Sequence, residues 1–166
     1  MMKFIRSIPM AICGVSLALA ALGNLLLIPL GPGVRYLFGA LSACVLLLFI
    51  LKLVLDSPHA LEELKTPVPL SVLPTATMAL MLLTTYLRPH FPSVALLLWY
   101  AAVCTHVGIM LLFFKRFVMR LAIANVFPSW FVTFVGIVTV SVTAPAMGAV
   151  PLGQVAFYVG FVLYFL

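Results

Sequence analysis

Apolar residues fill five long runs, at 9–28, 36–55, 69–87, 93–114 and 127–143, and the polar and basic residues gather in the short stretches between them. Each run approaches the ~20 residues that a helix needs to cross a bilayer, so the pattern predicts five transmembrane helices. A sixth run begins near Leu152 and is still apolar at Leu166, roughly five residues short of a span, which makes the chain look truncated at its C-terminus. Pro9, Pro69 and Pro128 open the first, third and fifth runs at separations of 60 and 59 residues. Proline suits the first turn of a helix, where its missing N–H would have no partner, and a fixed period implies one unit copied in tandem. That unit is a helical hairpin. The expected organisation is one all-α integral membrane domain over 1–166, with hairpin one at about 7–57, hairpin two at about 67–116 and an incomplete hairpin three at about 126–166.

The odd and even helices differ in texture. Ala11, Gly14, Ala18 and Ala21 fall at three-and-four spacing along the first, Ser71, Thr75 and Ala79 along the third, and Ser129, Thr133, Gly136, Thr139 and Thr143 along the fifth. Pro74 lies inside the third helix, where it removes a backbone hydrogen bond, and the freed carbonyl must be covered by neighbours or by water in a cavity. The even helices carry bulk instead, as in Val45-Leu46-Leu47-Leu48-Phe49 and Leu96-Leu97-Leu98-Trp99-Tyr100. Small residues commonly serve only to let membrane helices approach closely. Three such stripes, all on odd helices, point further, to an inner ring around a central pathway. The pore-lining candidates are Gly14, Ala18, Ala21, Ser71, Pro74, Thr75, Thr133, Gly136 and Thr139, with Gly14 and Gly136 also available as close-approach sites.

Composition agrees with the span pattern: 66% of residues are hydrophobic, only 7% are charged and the mean hydropathy is +1.33. So apolar a chain lacks the polar surface to coat a soluble particle. Lys3, Arg6, Lys52, Lys65, Lys115, Arg116 and Arg120 fall on one side of the span pattern and Arg35 and Arg88 on the other. Seven against two places the N-terminus in the cytoplasm of a multi-pass protein of the plasma membrane. The net charge of +6 then reflects bases at span ends beside anionic lipid, and no nucleic-acid partner is implied. All three acids, Asp56, Glu62 and Glu63, lie in the loop between the second and third runs. The first run could pass for a signal peptide, but it stays apolar through Ile28 and keeps the proline register, so an uncleaved helix is expected.

Chemistry for catalysis is absent. Acids confined to one loop cannot complete a nucleophile–base–acid set, no glycine-rich phosphate loop occurs, and Cys13, Cys44 and Cys104 lack the paired spacing of a metal or redox site. The chain is read as a non-enzyme that needs no cofactor. His106 is the one ionisable side chain well inside a run and is a functional candidate for that reason. Its position on an even, outer helix favours a hydrogen bond to a neighbouring carbonyl over a proton relay.

Three segments resemble a known family. Ile8-Pro9-Met10-Ala11-Ile12-Cys13-Gly14, Pro67-Val68-Pro69-Leu70-Ser71-Val72-Leu73-Pro74-Thr75 and Phe127-Pro128-Ser129-Trp130-Phe131-Val132 look like odd-helix starts of the tellurite-resistance and dicarboxylate transporter family. That family includes bacterial TehA-type proteins and the plant slow anion channels of guard cells. The resemblance implies ten spans as a ring of five hairpins, odd helices around an anion pore, and usually three subunits side by side. This chain would supply hairpins one and two and most of three. The family's gating phenylalanine belongs to the ninth helix, so no residue here takes that role. Where relatives kink odd helices at a proline, this chain has Ser16 and Thr133, with Gly14 and Gly136 as softer hinges, whereas Pro74 keeps the pattern. The implied activity is passage of small anions, by channel or carrier, with chloride, nitrate, sulfite, tellurite and dicarboxylates all open. The alternative is a truncated or non-transporting membrane scaffold.

Overall fold

The computed structural model describes residues 8–119 and 126–165; Lys3, Arg6 and Arg120, used above for orientation, lie outside them. Helices α1 (Ile12–Leu30) and α2 (Pro32–Leu55) form the first hairpin, and a short α3 (Ser57–Glu63) follows. The third span, Pro67–Leu87, divides into α4 (Pro67–Val72) and α5 (Pro74–Leu87). The fourth, Pro92–Val118, is α6 (Pro92–Phe113) continued by one π-helical turn. The fifth, Ser129–Met147, divides into α7 (Ser129–Val135) and α8 (Val138–Met147), and α9 (Val150–Tyr164) packs back against it. These five spans are long and apolar enough to cross a membrane, and no strand occurs among the described residues.

Local chemistry sets the boundaries. Pro32, Pro67, Pro74 and Pro92 each occupy the first turn of a helix, where no N–H is missed. The repeating prolines sit close to the odd-span starts: Pro9 three residues before α1, Pro69 in the first turn of α4, and Pro128 immediately before α7. A single residue, Gly31, turns α1 into α2 at φ +82°, a conformation costly for any residue with a Cβ, and its N–H closes on the Leu27 carbonyl at 3.0 Å. Gly148, at φ +72° and ψ 17°, ends α8 in the left-handed helical conformation. So short a link at each point makes adjacent spans antiparallel neighbours.

The odd spans form a row, α1 against α5 and α5 against α8, with α2, α6 and α9 each packed on its own odd partner. Polar contacts between spans are few and specific. Ser16 donates to the Ser42 carbonyl at 2.9 Å and Ser42 to the Ser16 carbonyl at 2.7 Å, a reciprocal clasp between α1 and α2. Tyr86 of α5 wedges between the same two helices and donates to the Ala20 carbonyl at 2.5 Å. Glycine makes the room: a Cβ on Gly39 would lie 2.6 Å from the Tyr86 ring, and one on Gly23 2.6 Å from its hydroxyl. Leu37, Leu47, Leu97, Leu111 and other large apolar side chains of the even spans are exposed, as lipid contact would require.

Lys52, at the C-terminal end of α2, departs from the expectation that loop bases serve anionic lipid. Its ammonium is buried, donating to the Ile8 carbonyl at 2.5 Å and to Glu63 at 2.7 Å, while Lys65 pairs with Glu62. The apolar stem of a lysine packs like a methionine, but only the ammonium satisfies those two acceptors. Lys52→Met is therefore expected to cost about 2 kcal/mol, since it strands the buried Ile8 carbonyl and leaves Glu63 with only His59 beside it. A lowered thermal midpoint of the detergent-solubilised protein would register it, and an unchanged midpoint would deny the latch.

Candidate functional site

The break in the third span follows from Pro74, which has no N–H for the preceding turn and whose ring crowds it. The backbone tightens there, the Ala76 N–H bonding the Leu73 carbonyl at 3.0 Å instead of that of Val72. Side chains then cover the carbonyls around the break. Val72 O accepts from Thr75 Oγ1 at 2.8 Å, Ser71 O from Thr133 Oγ1 at 3.0 Å, and Pro74 O from Thr77 Oγ1 at 2.7 Å. The Ser71 and Ser129 hydroxyls meet at 2.6 Å, and the Val68 carbonyl lies 2.8 Å from the Ser71 oxygen. Thus Ser71, Thr75 and Thr133, together with Pro74, are buried at the junctions of the odd spans, and their hydroxyls join those spans to one another or to the break itself.

The fifth span breaks at Gly136 and Ile137, where i to i−3 bonds from Thr139 to Gly136 and from Val140 to Ile137 tighten one turn. Gly136 is buried, and a Cβ on it would lie 2.5 Å from the Val132 carbonyl, 2.9 Å from Met78 Sδ and 3.1 Å from His106 Cε1. Gly14 differs. It lies inside the continuous helix α1, and a Cβ there would meet nothing within 4 Å, so the expectation of a close-approach glycine at this position is corrected.

His106 reaches between the two breaks. It belongs to an even span, as expected, yet its side chain is fully buried toward the odd ones, and its partner is a hydroxyl rather than a carbonyl. Because Thr77 spends its single proton on Pro74 O, the 2.8 Å contact between Thr77 and His106 has ring Nδ1 as donor. Ring Nε2 is buried without a hydrogen-bond partner among the described residues. Trp99 Nε1 donates to Thr143 at 2.8 Å and fastens the same even span to α8.

On the open side of the odd row lies a groove of about 490 Å³ whose walls come from three odd spans alone: Leu17, Ala21 and Asn24 of α1, Met78 and Leu82 of α5, and Val135, Val138, Thr139 and Val142 of the fifth span. No charged side chain lines it. Of the residues singled out in the sequence, Ala21 and Thr139 are in its wall. Ala18 is exposed and Gly14 partly so, at helical spacing along the side of α1 that carries Ala21. Asn24 was not anticipated; its signal was a lone amide inside an otherwise apolar run. Among the described residues, no three His, Cys, Asp or Glu side chains gather as a bound metal would require.

Residues 5–166 match the family model described as voltage-dependent anion channel, SLAC1. The chain belongs to the voltage-dependent anion channel family. The match takes in every described residue, and membership together with five apolar spans makes this a multi-pass membrane protein of an anion channel and transporter family rather than an enzyme family. No curated protein matches the chain significantly.

Proposed function

We propose that the groove between the odd spans is part of the pathway by which this family member passes small anions across the plasma membrane. The observation that supports this most is the make-up of the walls: odd spans only, apolar and small side chains with one amide and one hydroxyl, and no carboxylate. Every acid of the chain falls between Asp56 and Glu63, in α3 or at its start, so nothing within the spans repels an anion electrostatically. Selectivity then follows width and the cost of dehydration, with dicarboxylate, tellurite, sulfite and halide all within the chemical range. The buried hydroxyls at the breaks hold the wall in shape, while Gly14, Ala18, Ala21 and Thr139 face the permeating ion. In this reading the N-terminus is cytoplasmic and three copies assemble side by side, as the family resemblance suggests.

The test is a reversal potential. In planar bilayers or vesicles carrying the reconstituted protein and an imposed potassium chloride gradient, the reversal potential should follow chloride and ignore replacement of potassium by a bulky organic cation. A reversal potential that follows the cation would refute the proposal.

A further inference from the structure

At the end of the bundle opposite α3, Arg35 in the first turn of α2 reaches across the first hairpin. Its Nε donates to Asn24 Oδ1 at 3.0 Å, one terminal amine donates to the Thr85 carbonyl at 3.2 Å and to its hydroxyl at 3.3 Å, and the guanidinium carbon lies 4.4 Å from the Tyr86 ring centroid. A guanidinium only donates, so the Asn24 oxygen must face it, which turns the Asn24 N–H2 group away. Among the described residues the Asn24 side chain bonds Arg35 alone, through its oxygen, and Asn24 is part of the groove wall. Among the described residues Arg35 pairs with no acid. The nearest acid in sequence, Asp56, caps the other end of α2, about 30 Å away by helical rise and well beyond a Debye length. The N-terminal end of α2 adds its own partial positive charge, so helix stability alone does not ask for a cation here.

We propose that Asn24 and Arg35 form an anion-selecting site at this end of the groove, the Asn24 amide donating directly to a small monovalent anion while Arg35 fixes the orientation of that amide and supplies the positive potential. Arg35 is a positioning residue, held by Thr85 and the Tyr86 face so that its charge stands behind the wall rather than in the path. An anion arriving there exchanges part of its hydration for one amide donor and a cation held at a distance, enough to concentrate it without trapping it. The inference rests on the groove being the anion pathway.

Asn24→Asp tests it while keeping the contact to Arg35, because the new carboxylate accepts from Arg35 as the amide oxygen did. It removes the donor and neutralises the charge together. Chloride binding to the detergent-solubilised protein, read as ³⁵Cl NMR line broadening, should weaken at least about tenfold, and vesicle chloride flux at low chloride should fall by a similar factor. Asn24→Leu, which removes the donor and leaves Arg35 charged, should fall between wild type and Asn24→Asp, and it carries the test should the aspartate variant fail to fold. Wild-type protein that gives no chloride broadening, or folded Asn24 variants that broaden the line as wild type does, would overturn the site. Chloride binding that depends on Asn24 in a protein with no flux would leave this site standing and sink the pathway reading. Anion-selective flux indifferent to Asn24 would do the reverse.

Discussion

Placing an aspartate at Ala21 is expected to suppress anion flux about a hundredfold while the protein stays folded. Ala21 is exposed and lines the groove, so the added carboxylate stays hydrated and displaces no packed neighbour. At about 5 Å and an effective dielectric near 20, like unit charges repel by about 3 kcal/mol, which corresponds to that factor in rate. The same substitution at Thr133 would report something else. Thr133 is fully buried and donates to the Ser71 carbonyl, so Asp there buries an unpaired charge and strands an acceptor. Loss of folded protein is the expected outcome, not a clean block. Flux through vesicles, normalised to the folded fraction by size-exclusion chromatography, separates the two. Undiminished chloride flux through Ala21→Asp vesicles would show that the groove does not carry the ion.

Gly136→Ala should lower stability by about 1–3 kcal/mol, the usual cost of overpacking, because one methyl group must push into a backbone carbonyl, Met78 and His106 at once. Gly14→Leu, by contrast, should fold nearly as well as wild type, since the space beside Gly14 is open. Thermal midpoints in detergent decide this, and equal losses at both positions would contradict the packing described here. The Gly136 substitution also bears on function. It sits at the turn where α7 gives way to α8, so a shifted break moves Val135 and Thr139 in the groove wall.

The spans and their proline register were legible because both depend on local properties: hydropathy over about 20 residues, and a proline that can only begin or break a helix. Pro74 announced the division of the third span for the same reason. What the sequence did not reveal is which side of a uniformly apolar helix faces what. Helix α1 carries two small-residue stripes. Cys13, Ser16, Ala20 and Gly23 pack against neighbours, whereas Gly14, Ala18 and Ala21 look outward. In a soluble protein polar contrast would distinguish them, but lipid and protein interior are alike to a leucine. The Ser16–Ser42 clasp and the Arg35–Asn24 pair were hidden because each depends on the register of two helices across the one-residue turn at Gly31. His106 was noticed for its chemistry, yet its inward aim depends on the rotation of α6.

The central claim, that the odd spans carry the anion, is tested most directly by thiol access during conduction. With Cys13, Cys44 and Cys104 replaced by serine or alanine, single cysteines would be introduced at Ala21 and Thr139 in the groove and at Leu97 on the lipid-facing side of the fourth span. Negatively charged and positively charged methanethiosulfonates of similar size would then be applied while chloride current is recorded. The account predicts that the anionic reagent modifies the Ala21 and Thr139 positions faster than the cationic one, that modification blocks the current, and that high chloride slows it. The Leu97 position should leave the current unaffected. Block from the Leu97 position, or cationic reagent reacting faster in the groove, would contradict it.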